Sequence, residues 1–86
     1  VGHASISGCL HDWLDGPGAR LRHLHLHDNH GEGDHDDPHL ALGQGVIDVA
    51  AVVQAAREAG ASAVLEHYSE RSVKTSLAHL RELGLL

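Results

Sequence analysis

The run at residues 21–28, LRHLHLHD, constrains this 86-residue chain most, because His23, His25 and His27 alternate with Leu24 and Leu26. Successive side chains of a strand point to opposite faces, so period two predicts a strand over about 21–27, one face imidazole and the other leucine. The length allows one small domain whose core stabilises only marginally, since surface outweighs volume in short chains. Apolar residues are mostly Ala, Leu and Val; Phe and Met are absent, and Trp13 and Tyr68 are the only large aromatics. Such a set fills the small gaps between helices and a sheet.

The flanking text supplies further elements. Residues 1–8, VGHASISG, are small and polar around one histidine and read as a loop at a strand end. Leu10, Trp13 and Leu14 share a helical face, in a helix that Gly16, Pro17 and Gly18 would end after about two turns. Residues 28–45 are rich in Gly and Asp with little apolar periodicity, which predicts a long loop of the kind that is functional or disordered. Asp48 can cap a helix over 48–59 with Val49, Val52, Val53 and Ala56 as its buried stripe and Gly60 as its stop. Residues 61–66, ASAVLE, read as a strand (about 62–66) that ends on a carboxylate. Ser69 can cap a last helix over about 70–83, with Val73, Leu77, Leu80 and Leu83 as its stripe and Gly84 as its end.

Strands alternating with helices imply right-handed βαβ units and a parallel sheet, which is the α/β class. Parallel sheets normally have both faces covered, and two strands alone make a poor independent structure. With Val1 in place of an initiator methionine, this leads us to expect a truncated chain.

Twelve carboxylates against six Lys and Arg give a formal net charge of −6. That balance favours cations and opposes uniform attraction to nucleic acid or an anionic membrane. Cys9 is the single cysteine and cannot form an internal disulfide, so a reducing cytoplasm is the default expectation. No stretch approaches the roughly 20 apolar residues of a membrane span, and a soluble chain is expected.

Eight of the ten histidines, at positions 3, 11, 23, 25, 27, 30, 35 and 39, fall in the first 39 residues, interleaved with Asp28, Glu32, Asp34, Asp36 and Asp37. Imidazole with carboxylate suits Zn, Mn, Fe or Co, and the lack of paired cysteines argues against a thiolate zinc site. Parallel α/β architectures deliver functional groups at the C-terminal ends of strands, where His25, His27, Asp28 and Glu66 all fall. Any one of His11, His30, His35 or His79 is better read as a solvated surface residue. His25 and Glu66 carry the functional reading most strongly, because each ends an otherwise apolar strand and burying such a group alone costs several kcal/mol.

Four segments in order carry a family resemblance: VGHA at the start, HLHDN at 25–29, DPH at 37–39 followed by GQG and a helix start, and AVLEH at 63–67. Together they resemble the C-terminal part of the sugar phosphate isomerases and epimerases of the xylose-isomerase-like superfamily, which is related to endonuclease IV. The resemblance implies that residues 1–86 are the last βα units of a truncated (β/α)8 TIM barrel. It implies that His25 and Glu66 bind a catalytic divalent metal (Zn, Mn, Co or Mg), and that His3, Asp37 and His39 bind a second metal or the substrate. His27 stands where relatives often carry Asn, and its role is left open.

The function so implied is metal-dependent isomerisation or epimerisation of a small sugar or sugar phosphate through an ene-diolate, with Glu66 exchanging the substrate proton. The family's aspartate before Val1 and its earlier-strand glutamate have no counterpart here, so the isolated chain is expected to be inactive until missing barrel strands or another subunit complete the site. Two rival readings are an endonuclease IV-like zinc phosphodiesterase, against which the acidic balance speaks, and a non-catalytic metal-binding fragment.

Overall fold

The computed structural model describes residues 1–8, 10–15 and 20–86, with the side chains of 3 and 6 excepted. The expected helix stop at Gly16, Pro17 and Gly18 lies outside the described residues, as do Cys9 and the His3 side chain. Elements follow in the order α1 (Gly2–Ile6), α2 (Leu10–Asp15), β1 (His23–Leu26), α3 (Val49–Ala59), β2 (Ser62–Leu65) and α4 (Glu70–Glu82). The described residues thus form a small mixed α/β unit.

β1 and β2 pair in parallel, with His23 opposite Ser62, Leu24 opposite Ala63, His25 opposite Val64 and Leu26 opposite Leu65. Along β1 burial alternates with the sequence: His23 and His25 are exposed, whereas Leu24 and Leu26 are buried. The leucines join Leu42, Ile47, Val49, Val52, Ala56 and Leu80 in one core. Each of the leucine, isoleucine and valine side chains contributes about 1.5–3 kcal/mol when fully buried. Helix α3 is the crossover between the strands. The Asp48 side chain accepts the Ala51 N–H at its start, and Gly60, at φ 67, closes its end.

Helix α4 begins at Ser69, whose hydroxyl accepts the Ser72 N–H. Its buried residues are Ser76 and Leu80, with Val73 and Leu77 half-buried. Leu83, expected in the stripe, lies past the last helical turn and is exposed. Trp13 also departs from expectation: it is 59% exposed, while Leu10 and Leu14 of the same helix pack against the core. The start of the chain is helical over Gly2–Ile6 where its small polar residues suggest a loop. Five residues are too few to hold a helix by propensity. Tertiary contacts hold this one, since Ser5 Oγ and the Gly2 carbonyl both bond to the buried Asn29.

Asp28 organises the long loop after β1. Its backbone pairs with Leu40 in an isolated antiparallel bridge, N–H to carbonyl in both directions at 2.8 and 2.9 Å. Its fully buried carboxylate accepts four backbone N–H groups: Asn29 and Ile47 on Oδ1, Gly43 and Gly45 on Oδ2, all at 2.9–3.0 Å. Asp28 therefore points away from the strand-end rim expected of it and serves as the hub that folds residues 40–47 back onto the sheet. Gly45 passes so close that a Cβ there would strike the Asn29 carbonyl and the Asp28 carboxylate. Among the described residues, no helix is long and apolar enough to cross a membrane.

Candidate metal centre

The third histidine of the alternating run differs from the first two. His27 follows the last residue of β1, where the loop and α1 close over the strand, and it is only 4% exposed. Its Nε2 lies 3.1 Å from Asp37 Oδ1. The His39 ring stacks on it at 3.9 Å between centroids and 6° between planes. His39 Nε2 stands 3.7 Å from Asp37 Oδ2. His27, Asp37 and His39 thus offer two ring nitrogens and a carboxylate oxygen, all within 4.8 Å of one another.

Local structure holds this triad under tension. Asp37 and His39 flank Pro38 and both take positive φ, 38° and 51°. Such conformations cost on the order of 1–3 kcal/mol each in non-glycine residues and persist only where the surroundings enforce them. Asn29 is one enforcer. Its Nδ2 donates to Asp37 Oδ1 and to the Gly2 carbonyl, while its Oδ1 accepts from Ser5 Oγ and the Gly31 N–H. All four capacities of the amide are used, which also fixes which end is oxygen. Gly2 brings the α1 backbone so near that a Cβ there would meet His27 Nε2 and both Asp37 carboxylate oxygens.

The electrostatics suit a cation. Burial withdraws His27 from water and His39 adds repulsion, so its pKa is lowered despite the opposing pull of Asp37. Burial alone would raise the Asp37 pKa, but the Asn29 hydrogen bond and the His27 and His39 charges outweigh it and hold the carboxyl below its ordinary value. His27 is thereby biased toward the neutral imidazole and Asp37 toward the ionised carboxylate, the protonation states that metal binding needs. His27 Nδ1 and His39 Nδ1 are buried with no hydrogen-bond partner. Buried polar atoms are rarely left so. With Nε2 of both rings near the Asp37 carboxylate, the group is a nitrogen and oxygen donor set of the kind divalent metals take, and it could hold one. The donors do not single out one metal.

The strand-end pair expected from the sequence lies beside this triad. Glu66 follows β2, and its Oε2 is 3.3 Å from His25 Nδ1 and 3.5 Å from His27 Nδ1. His25 and Glu66 are 52% and 43% exposed at the side chain, so water screens them far more than the triad. Asp37 and His39 fall in the cluster; His25 and Glu66 stand at its edge; His3 is not described at its side chain. His27, whose role the sequence left open, is central.

A cavity of about 960 Å3 opens on these groups, lined by His25, His27, Asp37, His39 and Glu66 on one side and by Leu10, Trp13, Leu14 and Leu21 on another. Asn29 and Gly2 escape a sequence reading because neither is a usual ligand. The signal for Asn29 is its place at the end of the HLHDN segment, directly after Asp28. No family model, curated protein or solved structure matches the chain.

Proposed function

We propose that the chain holds a divalent metal at His27, Asp37 and His39 and contributes it to a metal-dependent isomerase or epimerase acting on a small sugar or sugar phosphate. The observation that supports this reading is Glu66: its Oε2 opens on the same cavity as the triad and lies 3.5 Å from His27. A metal held by His27, Asp37 and His39 would supply Lewis-acid stabilisation of the negative charge that develops on substrate oxygens when an α-proton leaves.

The chain's own groups do the rest. Glu66 Oε2 takes the proton, as a half-exposed carboxylate that a substrate can reach. His25, 3.3 Å from the same oxygen, orients it. Metal-free, His27 donates from Nε2 to Asp37, which can only accept. If Nε2 becomes a ligand, the proton moves to Nδ1 and faces Glu66, as ligating histidines commonly give their other N–H to a carboxylate. Three protein ligands match the count of a catalytic zinc site that keeps one position open. The remaining substrate contacts would come from further barrel strands of a longer chain or from another subunit.

The test, made on the chain together with the strands or subunit that complete the site, is hydrogen exchange in D2O at the α-carbon of a panel of small ketoses, aldoses and their phosphates, followed by NMR with added Mn(II), Co(II) or Zn(II). Exchange that requires metal and falls by about 10²-fold or more in Glu66→Gln fits general-base catalysis. Metal uptake without exchange on any member of the panel removes the isomerase reading and leaves metal binding alone.

A further inference from the structure

We propose that His67 and Ser76 form a positioning relay that fixes the main chain of His39 and so holds its ring in the metal triad; this rests on the reading of His27, Asp37 and His39 as metal ligands. Three contacts carry it. The Leu42 N–H donates to Ser76 Oγ at 2.9 Å, Ser76 Oγ lies 2.7 Å from His67 Nε2, and His67 Nδ1 lies 3.3 Å from the His39 carbonyl.

Chemistry fixes the direction of every proton. A carbonyl only accepts, so His67 Nδ1 carries hydrogen and donates to His39. In the neutral ring Nε2 is then an acceptor, and the Ser76 hydroxyl donates to it. The lone pairs of Ser76 Oγ are left for Leu42. The chain of donors runs from Leu42 through Ser76 and His67 to His39 with no group unsatisfied.

A serine 2.7 Å from a histidine also resembles a nucleophile and its base. Burial excludes that role, because Ser76 is 0% exposed and its oxygen is already engaged by Leu42. No substrate carbonyl can approach it. The relay instead ties α4 to the loop at the residue that most needs support. His39 is held at φ 51, and its ring must stay stacked on His27 for its nitrogen to face Asp37. His67 holds the backbone carbonyl of that residue, one position beyond Glu66, so the end of β2 shapes the site twice.

Two measurements on the full chain test this. In the metal-free protein, imidazole 15N shifts should report His67 as the Nδ1–H tautomer with a proton protected from exchange; the Nε2–H tautomer overturns the relay. In Co(II) titrations followed by the visible spectrum, His67→Phe should weaken binding by about 10-fold or more, the range seen when the groups that orient ligands are lost. His67→Asn, whose amide nitrogen can replace the Nδ1 donor, should restore most of it with the wild-type spectrum. Unchanged affinity in His67→Phe, or equal loss in both variants, overturns the relay. A wild-type chain that takes up no Co(II) overturns the metal site and the relay's role in it, while the tautomer still decides whether the His67 to His39 bond exists.

Discussion

His27 Nδ1 stands 3.5 Å from Glu66 Oε2, which joins the end of β1 to the end of β2 through a buried imidazole whose other nitrogen faces Asp37. His25 and Glu66, the two groups that the family resemblance implies for one metal, stand at the edge of the triad. The distinction is measurable.

In Co(II) titrations, His27→Ala and Asp37→Asn should abolish saturable binding, since each removes one of three protein ligands. Glu66→Gln should weaken binding by about 10- to 100-fold if Glu66 acts by accepting the His27 Nδ1 proton. His25→Ala, at an exposed position, should leave affinity nearly unchanged. Loss of binding in His25→Ala with retention in Asp37→Asn would return the metal to the strand-end pair.

Acid should destabilise the fold in two stages. His27 has a folded pKa below the ordinary 6.5, so below about pH 6.5 the unfolded chain binds the proton that the folded chain resists. Its contribution is intact above that pH and declines as pH falls through the folded value. Asp37, also lowered, has the same sign further down: its contribution is present above the ordinary 3.8 and is lost as pH falls through the lower folded value. Urea midpoints followed by circular dichroism should therefore drop between about pH 7 and 5, and the drop should shrink in His27→Gln. A midpoint that is flat over that range would contradict the lowered His27 pKa.

Asp28→Ala should unfold the chain or come close to it. Four backbone N–H groups lose their acceptor, and for the two buried ones, of Asn29 and Ile47, being left unpaired costs about 1–3 kcal/mol each. Small domains have only about 5–15 kcal/mol in total. Asp28→Asn should recover part of the loss, because one amide oxygen still accepts. Thermal melts of both variants that match wild type would show that the loop is held by other contacts.

Gly2→Ala should separate site from fold. The added methyl would press on His27 Nε2 and the Asp37 carboxylate, while none of the described side chains of α1 belongs to the main core cluster. Co(II) affinity should fall by at least about 10-fold, on the scale of disturbed ligand orientation. The urea midpoint should change little. Unchanged affinity would mean that α1 shifts freely away from the triad.

Much of the scaffold was legible because its signals are local. The alternation at 23–26 marks β1 and the face each residue takes. Asp48, Gly60 and Ser69 bracket helices by groups that bond within a few residues, as caps do. Helical spacing sets Trp13 on one face with Leu10 and Leu14 but does not say how much of that face the rest of the chain covers.

The sequence by itself determined the strand and helix frame apart from α1, the metal-friendly donor chemistry and the acidic balance, since these depend on residue type and short periods. Only the tertiary structure decided which donors meet. His23, His25 and His27 are indistinguishable by period, yet only His27 is buried, because α1 and the loop fold over the end of β1 and not its middle. The meeting of His27 with Asp37 and His39, and of His39 with His67 and Ser76, depends on a loop that Asp28 closes through four bonds to distant backbone groups. No local spacing encodes such contacts, because they exist only after the chain has returned on itself.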